Sequence, residues 1–141
     1  NANESKWKNL ECISDYGGKL MNYNYAIKYL EFEGKKDFLY FAFEEETGIL
    51  TNFFTGEVVN FHKTILEQIE QVLSKKKRHV ECSGNECYWN IGLKETLIVD
   101  NFANEGEPSE ITVETSELKR LIDEWIAARD KFKEQKAKGE I

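Results

Sequence analysis

The sequence has one proline, three cysteines and two histidines among 141 residues. With so little proline it contains no proline-rich linker or polyproline ligand segment. The odd cysteine count, without a secretory leader, argues against a disulfide scaffold. Two histidines leave little material for a histidine metal centre or a triad. Apolar runs never exceed six residues, so none is long enough for a membrane span. No glycine-rich phosphate loop, dinucleotide fingerprint, His-Glu-x-x-His or Gly-x-Ser-x-Gly is present. What is present is a folded composition, 40% hydrophobic and 32% charged, of a length that suits one domain. The expectation is a single domain over residues 1–141, cytoplasmic, with flexible ends at 1–5 and 135–141.

Charge of one sign dominates. Nineteen basic side chains face 26 acidic ones, for a net −7, and the excess is concentrated at −8 over residues 81–126. Nucleic-acid binders draw most of their affinity from neutralising phosphate, so this balance argues against direct nucleic-acid binding. The basic runs, Lys75 to Arg78 and Lys131, Lys133, Lys136 and Lys138, each close an apolar-periodic segment. Cations there complement a helix macrodipole.

Periodicity predicts an α+β fold with a mainly antiparallel sheet and two amphipathic helices, over about 62–76 and 116–134. Strands are expected at Leu10–Ser14, Tyr25–Glu33, Phe38–Phe43, Ile49–Phe54, then past a Thr55-Gly56 turn at Glu57–Asn60, and at His79–Ser83, Glu86–Leu93, Thr96–Phe102 and Ile111–Val113. Residues Glu33 to Asp37 read as a hairpin loop. Ile65, Ile69, Val72 and Leu73 share one helical face behind an Asn60 cap. Leu118, Leu121, Ile122, Trp125 and Phe132 share another behind Ser116.

Few groups could do chemistry. His62 and His79 are the only pair resembling a ribonuclease acid and base, with Lys63 or Arg78 beside them. A helix between them would hold them roughly 20 Å apart, too far to share one phosphate. Cys82 and Cys87 flank Gly84-Asn85, and a two-residue turn there would set them face to face. They supply at most two zinc ligands, since His79 has the opposite strand parity. Cys12 is unplaced. Reduced thiols, with no metal and no cofactor, are the expectation. Asn3-Glu4-Ser5 matches a glycosylation sequon without a leader to support it. Tyr88 and Trp89, adjacent in a strand, point to opposite faces, so one is a candidate surface anchor.

The last third of the chain runs from the strand Ile111–Val113 through Ser116 into the helix face of Leu118, Leu121, Ile122 and Trp125. This segment, with the size and acidity of the chain, resembles the immunity proteins of bacterial toxin systems, including those of contact-dependent growth inhibition. The resemblance implies a cytoplasmic, non-catalytic protein that binds one cognate toxin domain, commonly a nuclease, and blocks its active site. It carries over no functional residues, because the class shares no motif. A nuclease is basic where it holds phosphate, so its inhibitor gains from presenting carboxylates. Asp100, Glu105, Glu107 and Glu110 around one loop form the first candidate surface, and Glu44, Glu45 and Glu46 the second. A ribonuclease using His62 and His79, or an adaptor with another protein partner, are the alternatives.

Overall fold

The computed structural model describes residues 6–8, 11–13 and 20–141, with side chains described from Tyr23 onward. All described strand pairings are antiparallel. Strands β1 (Lys6–Lys8), β4 (Tyr25–Phe32) and β5 (Lys35–Phe43) form one sheet in the order β1-β4-β5. β2 (Glu11–Ile13) pairs with β3 (Leu20–Asn22). β6 (His79–Ser83), β7 (Cys87–Gly92), β8 (Glu95–Asp100) and β9 (Glu110–Glu114) form a four-stranded meander. Helices α1 (Ile49–Phe53), α2 (Val59–Leu73) and α3 (Thr115–Ala137) complete an α+β fold.

Ile49–Phe54, expected as a strand, is helical. A 3-10 turn at Glu45–Thr47 leads into α1, and a widened π turn at Phe54–Val58 joins α1 to α2. One helical run from 49 to 73, kinked at Phe61, thus replaces the expected 62–76 helix and the expected Glu57–Asn60 strand. β-branched and aromatic residues favour a strand here locally, but Leu50, Phe54 and Val58 recur every fourth residue, and all three are buried. Asn60 lies inside the run, its side-chain amide donating to the Gly56 carbonyl at 3.0 Å, and does not cap it. The run ends at Leu73, so Lys75 to Arg78 lie past its last turn, with Lys75 in the left-handed region.

Two consecutive phenylalanines show why this run is central. Successive helical residues point about 100° apart, so Phe53 and Phe54 face different sheets. Phe53 meets Trp89 of β7 edge-on at 5.5 Å, and Phe54 stacks on Phe41 of β5 at 5.9 Å. Tyr25, Phe41 and Phe43 extend the aromatic layer on the β4–β5 side. Helix α3 covers the same core with Leu118, Leu121, Ile122, Trp125 and Phe132, all buried. It starts at Thr115, one residue before the expected cap Ser116. Thr115 Oγ1 donates to the Gly92 carbonyl at 2.6 Å. It also runs to Ala137, into the expected flexible tail.

Two loops are set differently from expectation. The β4–β5 turn is only Glu33-Gly34, both at positive φ, the conformation that two-residue hairpins favour; the strands absorb Asp37 as a register shift. The β6–β7 loop is longer than Gly84-Asn85. Ser83 pairs with Tyr88 and Cys82 with Trp89, leaving residues 84–86 between the strands and Cys87, the first residue of β7, paired with Asp100 of β8 and not with β6. Cys82 and Cys87 therefore do not face each other, and both are free thiols.

The β6–β7 loop wraps around Glu57, a π-turn side chain with no exposed surface. Its carboxylate accepts three backbone N–H bonds, from Asn85 at 2.9 Å, Glu86 at 2.7 Å and Cys87 at 2.6 Å. A buried carboxylate is costly unless so satisfied, and consecutive amides turned to one side make an anion nest. Gly84 is required by contact: a Cβ there would lie 2.2 Å from Glu57 Oε1. Gly84→Ala must displace the carboxylate, and each buried amide left unpaired costs about 1–3 kcal/mol. Both Gly84→Ala and Glu57→Ala are therefore expected to lose at least about 2 kcal/mol in urea unfolding. A midpoint unchanged in both variants would contradict this role for Glu57.

Candidate functional site

The two acidic segments, separate in sequence, line one cleft of about 540 Å³. One wall comes from the 3-10 turn and α1, with Glu45, Glu46, Gly48, Ile49 and Asn52. The other comes from the end of β8 and the loop to β9, with Asp100, Phe102, Asn104, Glu107, Pro108 and Glu110 among its residues. The packing of α1 explains the meeting. β5 delivers the chain to Glu44 at the end where β8 delivers Asp100, and α1 packs against both strands. Asn52 bridges the walls, its side-chain amide donating to Asp100 Oδ2 at 3.0 Å.

The candidate residues divide accordingly. Glu45, Glu46, Glu107 and Glu110 are exposed and line the cleft. Glu44 and Glu105 are exposed but outside its lining, and Glu44 accepts from the Asn24 side-chain amide at 3.3 Å. Asp100, expected among exposed groups, is only 6% exposed. Besides Asn52, its carboxylate accepts from the Phe102 N–H at 2.9 Å, so its charge serves the loop and does not face solvent. Trp89 is buried at 1% exposure, its indole N–H donating to the Gln68 side chain at 2.9 Å, and offers no surface to a partner. Tyr88 takes the outward face of β7, where its hydroxyl donates to Glu81.

Phe102 is the residue that sequence reasoning missed. It was expected to end a strand, yet the strand closes at Asp100 and Phe102 stands on the cleft 68% exposed. The available signal was its place at the start of a polar, Gly- and Pro-containing loop, where a large aromatic has no partner in sequence.

The histidines do not form an acid–base pair. His62 packs against Trp125 at 5.5 Å and bonds the Val58 carbonyl at 3.2 Å through Nδ1, with Arg129 at 3.2 Å from Nε2. His79 is exposed on β6, the outer strand of its sheet. Among the described residues no group of three or more His, Cys, Asp and Glu is placed to hold a metal ion. No helix among them is long and apolar enough to cross a membrane. Asn3 to Ser5 and the side chain of Cys12 lie outside the described residues.

With this geometry in hand, comparison with known proteins places the chain. It is 34% identical over 118 residues to an immunity protein of Bacillus cereus, an alignment covering 84% of this chain and 97% of that protein. The chain belongs to the immunity proteins. No family model matches it, and no solved structure matches it. The expected resemblance to immunity proteins is thereby borne out at the level of the family.

Cys87 is buried beside Asp100, its partner across β7 and β8. Burial, then the nearby carboxylates of Glu57, Asp100 and Glu86, push its thiol up from 9.0 to about 12. An acid whose pKa is raised by folding is protonated in the native state while the unfolded thiol ionises. Stability is therefore full below about pH 9 and falls as pH rises from there toward about 12. Two outcomes follow for protein in reductant. Cys87 stays unmodified by a thiol reagent near neutral pH until the protein is unfolded. The urea midpoint drops between about pH 8 and about pH 10.5, and less steeply in Cys87→Ala. A reactive native Cys87, or the same slope in the variant, would contradict the assignment.

Proposed function

We propose that this protein is a non-catalytic inhibitor that neutralises one cognate toxin domain, and that the acidic cleft between α1 and the β8–β9 loop is its contact face. The observation that carries the reading is the convergence of Glu45 and Glu46 with Glu107 and Glu110 around one concave site that also bears an exposed aromatic. Kinship with an immunity protein supplies the partner class. Like-signed carboxylates with no strong packing role keep folding roughly indifferent to them and steer a basic partner.

The toxin so recognised is basic at its docking site, which fits a nuclease that must hold phosphate. Occluding that surface blocks substrate without any reaction by the inhibitor. The contact-dependent growth inhibition setting and a cytoplasmic site of action belong to the same reading. His62 and His79 take no part in it.

The test uses the cognate toxin domain, purified with its activity disabled. Reversing Glu45, Glu46, Glu107 and Glu110 to Lys should slow association at least tenfold at low salt and weaken its salt dependence, since rim charges act mainly on encounter. The melting temperature should change little, because all four are surface sites. Glu105→Lys, a single reversal on the same loop but outside the cleft lining, should have a smaller effect than the four-fold variant. Unchanged association and unchanged protection of cells by the four-fold variant would contradict the cleft as contact face.

A further inference from the structure

We infer that Phe102 is the specificity-determining anchor of this cleft and that Asp100 is the positioning residue that presents it, so that the partner must offer an apolar pocket with Lys or Arg at its rim. The inference rests on the toxin-binding reading and adds to it the residue that discriminates between partners.

Large exposed apolar side chains among the described residues are few: Leu30, Phe32, Leu93, Phe102 and Ile141. Of these, Phe102 alone lines the acidic cleft. Burial gives little reason for a phenylalanine there: Phe102 is 68% exposed, so a polar residue in its place would give up little buried surface. Its backbone, by contrast, is pinned from several sides. The Phe102 N–H donates to Asp100 Oδ1 at 2.9 Å, and the Asn101 N–H to the Glu86 carbonyl at 2.9 Å. The Asp100 N–H donates to the Ser109 carbonyl at 2.7 Å, closing the loop at its far end. Asn52 holds the other carboxylate oxygen of Asp100 from the α1 side.

An aromatic ring on a fixed backbone loses little conformational freedom when it docks, and burying it excludes water around one contact. That is how an anchor behaves. The surrounding carboxylates define the rest of the pocket it enters. Glu107 and Glu110 share the cleft wall with the ring, so a pocket that accepts Phe102 is complementary when cations flank it.

Anchors and steering charges have separable kinetic signatures, because truncating a buried contact acts on dissociation and rim charges act on association. Phe102→Ala is therefore expected to raise the dissociation rate from the disabled toxin at least tenfold. Its association rate should stay within about twofold, with salt dependence and melting temperature unchanged. Phe102→Tyr, which keeps the ring, should restore slow dissociation. Asp100→Ala should raise the dissociation rate similarly, and adding Phe102→Ala to it should change that rate by less than about twofold, since one residue acts through the other. Asp100→Asn retains an acceptor for the Phe102 N–H and should rescue. If Phe102→Ala leaves dissociation unchanged while the four Lys reversals still slow association, the cleft stands as the contact face and the anchor is overturned. If neither set alters binding, cleft and anchor both fall.

Discussion

A carboxylate with no exposed surface sits where the helical run meets the four-stranded sheet. Glu57 accepts the amides of Asn85, Glu86 and Cys87, and so it fixes the β6–β7 loop against the π turn. The loop then passes this position on, because the Glu86 carbonyl receives the Asn101 N–H. A widened helical turn, a hairpin loop and the start of the β8–β9 loop are held in one hydrogen-bonded sequence. The amide bonds to the Glu57 carboxylate are worth about 1.5–3 kcal/mol each and the neutral Asn101–Glu86 bond about 1 kcal/mol, but each is costly to leave unmade in a buried site. That asymmetry ties the acidic loop to the core.

The same helical run joins the two sheets through Phe53 and Phe54, so α1 has little room to shift. One side of α1 is core and the other is cleft wall. Asn52 makes the join to Asp100 from there. The result is a cleft built on loops and a short turn, the proposed contact face, backed by aromatic packing. Loops of this kind can vary without disturbing the core, which suits a protein whose job is to match one partner. Charge gives such a surface its reach, and an exposed ring gives it a contact of defined shape.

Much of this was legible in the sequence, and the failures have identifiable causes. The α+β class, the α3 stripe with Trp125 inside, and both acidic segments could be read from periodicity and charge. Ile49–Phe54 was misread because strand-favouring residues outweighed the four-residue spacing of Leu50, Phe54 and Val58, and only packing between two sheets decides that contest. The facing arrangement of Cys82 and Cys87 assumed the shortest turn at Gly84-Asn85. The chain instead uses residues 84–86 and the first residue of β7 to bring three amides to Glu57, a partner 28 or more residues away that local turn chemistry cannot reveal. Asp100 looked like one more surface acid because burial is set by Asn52 and by its own loop. The meeting of Glu45 and Glu46 with Glu107 and Glu110 is a tertiary fact, and so is the exposure of Phe102.

The central claim is that one cleft, and not another face, meets the toxin. Amide hydrogen exchange on the protein alone and with the disabled toxin tests it without any substitution. Slowed exchange should appear together in residues 44–53 and 101–110, the two walls of the cleft, with the tip of the β4–β5 hairpin unaffected. Protection confined to that hairpin, or to the outer face of β6 and β7 around Tyr88, with both cleft walls exchanging as before, would contradict the account.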